Sequence, residues 1–329
     1  MKEKKYLDII QAYLSLKKKN LFSMNWRGKF LRRKLILQLL LNGELSLEEA
    51  LLGILPGRFR TRIKKFIPHN SGFFIPFLKR FFGEDYYFNP VYFLGYKLYY
   101  LPLEETNERQ INKYLYDLLA LIEQIVIQDQ YCAREFIKNN SIIIDAGANI
   151  GVFSLFALHL SPESKIYAFE PTTKIFNIFQ KTIAENNLFN HIHLFNIALG
   201  DEDKKVMLMK SQEGLETGNI IADSNFLMGK ERFFVGSEEI SMMTLDKFVQ
   251  KNNIKKVDFI KIDTEGYEKQ IIAGAKEVIK EFSPVIACSA YHLKNDKIEI
   301  PKLVLSINKK YNYRLENRAE KDLIFWPKK

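Results

Sequence analysis

Cysteine is scarce in this chain. Cys132 and Cys288 are the two thiols in 329 residues, and they stand far apart. That spacing supports neither a disulfide framework nor a thiolate metal site, and it predicts ordinary thiols in a reducing compartment. Long apolar runs are missing as well. The best one, Leu35 to Leu41, has seven residues and contains Gln38, whereas a membrane span needs about 20. The opening stretch "MKEKKYLDIIQAYLSLKKKN" has charge but no uninterrupted apolar centre of the kind a secretory signal carries. These absences predict a cytoplasmic protein, or one held peripherally at the inner face of a membrane. No internal repeat and no low-complexity tract interrupt the chain.

What is present is a chain that is 47% hydrophobic with a net charge of +10. The length allows two modest domains, or one large domain with an extension. The charge is uneven. Residues 1–80 hold 18 Lys/Arg and 5 Asp/Glu, a net of +13, and the remaining residues carry a net of −3. A basic appendage on a near-neutral body suggests local docking, whereas a chain basic throughout would point to nucleic acid.

Residues 1–105 read as a basic, aromatic-rich N-terminal region. Helices are expected at 29–42 and 46–55, the second opened by a capping box of Ser46 and Glu49. Residues 58–82 interleave cations with phenylalanine, as in "RFRTRIKKF". Three readings stand for them: a small helical subdomain with Phe inside, an interfacial patch on anionic lipid, or a surface that recognises an acidic substrate. Short Tyr-rich strands are expected within 86–103, and a long helix over 106–131 leads into the second domain, 106–329.

From residue 141 the pattern alternates. Strands are expected at 142–145, 165–169, 191–196, 257–262, 284–289, 311–316 and 322–326. Helices are expected at 151–160, 173–187, 244–252, 266–280 and 298–309. Such alternation implies a mostly parallel, doubly wound sheet covered on both faces. Residues 201–242 break the rhythm and read as a β insertion, with "EGLETGNIIADSNF" as loop.

In such sheets ligands bind at the carboxyl ends of strands, near the switch point. "IIIDAGANIGVF" ends a strand at Asp145 and turns through Gly147, Ala148, Asn149 and Gly151 into a helix. A dinucleotide turn needs glycines at relative positions 1, 3 and 6, and Asn149 and Val152 occupy two of these. Gly147 and Gly151 are expected to let backbone approach a ligand closely. Glu170 ends the next strand in "IYAFEPT", where a carboxylate can bind ribose hydroxyls of either a dinucleotide or S-adenosylmethionine. "VDFIKIDTEGYE" ends a third strand in Asp263 and Glu265, with Lys261 just inside. Glu268 reads as a solvated residue favoured at a helix start.

Together, "DAGANIGVFS", "YAFEPT", "FNIALGD", "MMTLDKF", "DFIKIDTEGYE" and "ACSAYH" resemble the FkbM family of S-adenosylmethionine-dependent methyltransferases, over roughly residues 125–327. The resemblance implies the class I (Rossmann-like) methyltransferase fold with seven strands. It also implies O-methylation, often of a sugar hydroxyl in a glycan or glycosylated product, for which a lipid-linked acceptor would suit a basic N-terminus. It assigns Asp145, Gly147, Ala148, Asn149 and Gly151 to the cofactor turn and Glu170 to the ribose. Asn196 or the backbone near Ala198 falls beside the adenine, and Asp263 and Glu265 fall on the substrate side.

A sugar hydroxyl is a weak nucleophile, so a base that takes its proton should help by about 10²–10⁴. Asp263 is the first candidate, and Glu265 and His292 are the others. Asp263 and Glu265 could instead hold a divalent cation, but no third ligand stands out in sequence, so no metal is assigned. Two other function classes remain open: a non-catalytic binding protein on a nucleotide fold, and a nucleic-acid methyltransferase using the basic N-terminus. "DTEG" stands where base-amino methyltransferases carry an Asp/Asn-Pro-Pro-aromatic motif, which makes nucleic acid the weaker of these.

Overall fold

The computed structural model describes residues 90–100, 114, 117, 118, 120–211, 220, 221 and 234–328. The chain divides into two compact units, Met1–Tyr86 and Tyr87–Lys329, and the described residues belong to the second. The helices expected at 29–42 and 46–55 and the aromatic, basic stretch 58–82 lie outside the described residues.

A seven-stranded sheet forms the centre. Its strands are β3 (Ile142–Ala146), β4 (Lys165–Phe169), β5 (Ile192–Phe195), β10 (Phe259–Ile262), β11 (Val285–Ser289), β12 (Tyr311–Glu316) and β13 (Asp322–Pro327). Their order across the sheet is β12-β13-β11-β10-β3-β4-β5. β10 pairs in parallel with both β3 and β11, whereas β13 runs antiparallel to its neighbours β11 and β12. This is the class I methyltransferase arrangement that the motif order implies, with the chain reversing direction across the sheet between β3 and β10. β3 and β10 are buried almost throughout, which explains why they read as apolar runs and not as alternation.

Helices cover both faces. On one face lie α2 (Val152–Leu160) and α3 (Thr173–Glu185), with α1 (Ala133–Phe136) preceding β3. α3 buries Ile175, Ile178, Phe179, Thr182 and Ile183, a stripe at helical spacing. A hairpin, β1 (Val91–Phe93) and β2 (Tyr96–Leu98), packs against this helix. The Lys97 amide donates to Asn186 Oδ1 at 2.8 Å, and the Tyr99 amide donates to Thr182 Oγ1 at 3.0 Å. On the other face lie α4 (Leu245–Lys251), α5 (Glu268–Ala273), α6 (Lys276–Phe282) and α7 (Asp296–Ile307).

Three expectations are corrected here. The helix expected over 106–131 stops short: helical residues 120–122 run into a π-helical turn, Glu123–Ile127, and Asp129 and Cys132 adopt left-handed φ of 52° and 54°. The single helix expected over 266–280 is broken into α5 and α6 at Gly274, where a Cβ would stand 1.9 Å from the Gly200 carbonyl oxygen. The backbone of a second sheet passes there. That sheet holds β6 (Ala198–Gly200), β7 (Lys204–Ser211), β8 (Ile220–Ile221) and β9 (Phe234–Thr244) in the order β6-β9-β7-β8. Its edge strand β8 lies within the stretch read as loop.

Gly151 opens α2 with φ +90°, and a Cβ there would lie 2.1 Å from the Phe179 ring of α3. Gly151→Ala should therefore force apart two buried helices. A loss of roughly 1–3 kcal/mol is expected from overpacking, read in urea unfolding as a lower midpoint with an unchanged slope.

Candidate active site

A cleft opens at the carboxyl ends of β3, β4 and β10, and the turn after β3 forms its floor. The amides of Gly147 and Ala148 donate to the Phe169 carbonyl at 3.0 and 2.9 Å, so the turn folds over the end of β4. Gly147 has φ +74°, and a Cβ on it would meet the Asp263 carbonyl oxygen at 2.0 Å. Gly147 does line the cleft, but what requires glycine there is the approach of the β10 backbone. Gly151 likewise yields to Phe179. Both glycines were expected to make room for a ligand; protein atoms crowd both positions, and Gly147 also lines the cleft.

Asp145 does not face the cleft. It is fully buried, accepts a hydrogen bond from Ser154 Oγ at 2.7 Å, and pairs with Lys261 Nζ at 3.2 Å. Lys261 is itself buried and donates to the carbonyls of Gly147 and Ala146 at 2.6 and 3.2 Å. The pair therefore clamps the turn to β10 from behind.

Glu170 is buried and lines the cleft. Its Oε2 accepts from the Asn149 amide and its Oε1 from the Thr172 amide, both at 2.9 Å. Burial pushes its pKa up to about 7, against the lowering effect of the Thr172 and Asn149 hydrogen bonds. Asn149 sits at φ 51° and turns its own Oδ1 onto the Ile150 amide. Beside Glu170 the cleft becomes apolar, with Phe169 from β4, Ile197 from the loop that follows β5, and Ala198, Leu199, Leu208 and Ile221 from the second sheet. Of the two residues expected near a flat ring, Ala198 lines this slot. The Asn196 amide group donates to the carbonyls of Glu170 and Pro171 at 3.0 and 2.8 Å and so holds the loop after β4.

The opposite end of the cleft is acidic. Asp263 Oδ2 accepts from the Tyr131 hydroxyl at 2.6 Å, and Tyr291 OH stands 3.4 Å from Oδ1. Burial raises the pKa of Asp263, but His292, Lys261 and hydrogen bonds from Tyr131 and Ser289 outweigh it and hold it below the ordinary range. Glu265, at φ 58°, lines the same end. Glu268 was expected to be solvated. It is 1% exposed, and its Oε1 accepts from the amides of Thr264 and Gly266 at 2.9 and 3.2 Å. The same oxygen lies 2.9 Å from His292 Nδ1. Burial lowers the His292 pKa, yet the Glu268 hydrogen bond and the charges of Glu268, Asp263 and Glu265 raise it to about 10. A pKa raised in this direction favours the protonated ring and speaks against His292 as the base.

Asp263, Glu265 and His292 are thus brought together, as are Gly147, Ala148, Asn149 and Glu170, while Asp145, Gly151 and Asn196 act from behind the wall. Tyr131 and Tyr291 were not singled out from sequence, and Glu268 was read there only as a solvated helix-start residue. Tyr131 follows a helix whose early end has no sequence mark, and Glu268 is 24 residues from the histidine it touches.

A model of the methyltransferase FkbM domain matches residues 145–315. Methyltransferase 1 of Beauveria bassiana is 28% identical over 163 residues, covering 46% of this chain and 65% of that protein. The 2-O-methyltransferase NoeI of Sinorhizobium fredii is 24% identical over 149 residues, covering 43% and 60%. The crystal structure of methyltransferase FkbM from Methylobacillus flagellatus KT aligns with a TM-score of 0.43 at 17% identity, over 67% of this chain and 56% of that one. The chain therefore spans less than two-thirds of the length of the curated relatives it matches.

The buried clamp generates a stability test. Lys261→Met leaves Asp145 charged and without its ion-pair partner in the core, and should cost about 3–5 kcal/mol. Adding Asp145→Asn should recover part of that loss. A double-mutant cycle in urea reads the coupling, and fully additive costs would contradict the clamp.

Proposed function

The chain belongs to the FkbM methyltransferase family, and we propose that it is an S-adenosylmethionine-dependent O-methyltransferase acting on a hydroxyl of a sugar, glycan or glycosylated small molecule. The observation that carries this reading is a single cleft with Glu170 at one strand end, Asp263 at another and an apolar slot beside the first. The donor set fits this cofactor. Glu170 can accept both ribose hydroxyls, the slot at Ile197 and Ala198 suits an adenine, and the acidic end suits a sulfonium and an amino group. When bound, S-adenosylmethionine would supply an electrophilic methyl carbon.

The chain itself orients the reactants and handles the proton. The turn of Gly147, Ala148 and Asn149 is fixed by Lys261 on one side and Glu170 on the other, so it is preorganised before any ligand arrives. Asp263, kept ionised, would hold the acceptor hydroxyl and take its proton as the new O–C bond forms and the S–C bond breaks. Tyr131 fixes the carboxylate for that task. Glu265 and Tyr291, which is 38% exposed, stand at the mouth, where hydroxyl groups of a sugar would find acceptors and donors. NoeI is named a 2-O-methyltransferase, which supports an oxygen acceptor. No helix among the described residues is long and apolar enough to cross a membrane.

Calorimetry with S-adenosylmethionine, followed by an acceptor screen for S-adenosylhomocysteine release, tests the reading. No cofactor binding by folded protein, or turnover with RNA and not with hydroxylated glycans, would contradict it. Glu170→Gln should weaken cofactor binding about 10–100-fold, the value of hydrogen bonds to a charged group, ~1.5–3 kcal/mol. The pH dependence has a definite sign. Protonated Glu170 loses an acceptor site, so affinity should rise as pH passes upward through about 7, and Glu170→Gln should flatten that dependence.

A further inference from the structure

The acidic end of the cleft holds more carboxylate than methyl transfer uses. One oxygen each of Asp263 and Glu268 and a ring nitrogen of His292 lie within 4.8 Å of one another. Glu268 Oε1 is already committed to two backbone amides and to His292 Nδ1. That contact makes Nδ1 the proton-bearing nitrogen and leaves Nε2 beside Asp263 and Glu265. The His292 side chain is only 6% exposed, and its buried Nε2 has no hydrogen-bond partner. It stands 3.6 Å from Asp263 Oδ1 and 3.5 Å from Glu265 Oε2.

Those separations are longer than good hydrogen bonds. They match the spacing between two ligands of one ion: bonds of about 2.0–2.2 Å at a tetrahedral angle separate the ligand atoms by roughly 3.3–3.6 Å. An unpartnered, buried imidazole nitrogen aimed between two carboxylates is what distinguishes this corner from a plain acidic cluster.

We propose that His292 Nε2, Asp263 Oδ1 and Glu265 Oε2 form a site for a first-row divalent cation, with Glu268 orienting the imidazole through Nδ1. One nitrogen and two oxygens suit Mn²⁺ or Zn²⁺ better than the all-oxygen preference of Mg²⁺ or Ca²⁺. A carboxylate behind a ligating histidine fixes its tautomer and raises its basicity. Binding releases any proton on Nε2 to solvent. The cation keeps coordination positions facing the cleft, where a water or an acceptor hydroxyl can bind and become more acidic. That last role rests on the methyl-transfer reading, whereas cation binding does not.

The test titrates Mn²⁺ and, separately, Zn²⁺ into the full chain without S-adenosylmethionine, reading Mn²⁺ by electron paramagnetic resonance and Zn²⁺ by calorimetry. One site per chain is expected for at least one ion, lost in His292→Ala and weakened at least tenfold ("at least tenfold" being about 1.4 kcal/mol) in Glu265→Gln. Glu265 lies at the cleft mouth, so its variant should keep the parent's circular dichroism and melting temperature, which separates lost ligation from unfolding. Binding of neither ion up to millimolar concentration, or binding that survives either substitution unchanged, overturns the site. S-adenosylmethionine binding is measured on the same samples. Cofactor binding without cation binding rejects this site alone, and cation binding without cofactor binding rejects the methyl-transfer reading alone.

Discussion

The ion pair of Asp145 and Lys261 is the constraint around which the site is built. A lysine in the middle of a strand buried on both faces is costly unless its charge is matched and its protons are used. Here Asp145 matches the charge, and the carbonyls of Ala146 and Gly147 take protons. The result is to draw the turn after β3 against the end of β10. Gly147 must then lack a side chain, because the Asp263 carbonyl occupies that space. Asp263 and Glu170 end up on opposite sides of one turn, and the cleft between them follows.

Those two carboxylates sit at equivalent places in the fold and are tuned in opposite directions. Both feel burial. For Glu170, burial outweighs the hydrogen bonds from the Thr172 amide and side chain and the Asn149 amide and the charge of Lys261, and its pKa rises to about 7. Asp263 has His292 and Lys261 close by, together with two hydroxyl hydrogen bonds, and these win over burial. One end of the cleft is thus near a protonation balance at neutral pH, and the other is firmly anionic.

The sheet was legible in the sequence because buried parallel strands appear as short apolar runs ending in acids, as at Asp145, Glu170 and Asp263. The strand–helix rhythm implied a mostly parallel, doubly wound sheet, and the family resemblance added the class I order of seven strands. What stayed hidden depends on contacts between distant segments. Glu268 at a helix start invites the macrodipole explanation. Only His292, brought in by β11, shows that it is a buried acceptor. The break at Gly274 needs the second sheet beside it, since glycine within a helical run is otherwise a minor penalty. The resemblance set Asn196 beside the adenine, whereas its side-chain amide donates to the nearby carbonyls of Glu170 and Pro171. Tyr131 reaches Asp263 because the leading helix ends in a π turn, which spacing alone does not announce.

The second sheet touches the main fold through a glycine-to-glycine backbone crossing at Gly200 and Gly274, and it supplies Leu208 and Ile221 to the cleft wall. The main sheet supplies the acids and the turn. The apolar slot is thus walled by both sheets. A substitution at Leu208 or Ile221 would therefore reshape the apolar slot beside Glu170 while leaving the Asp145–Lys261 clamp and the acidic end of the cleft untouched.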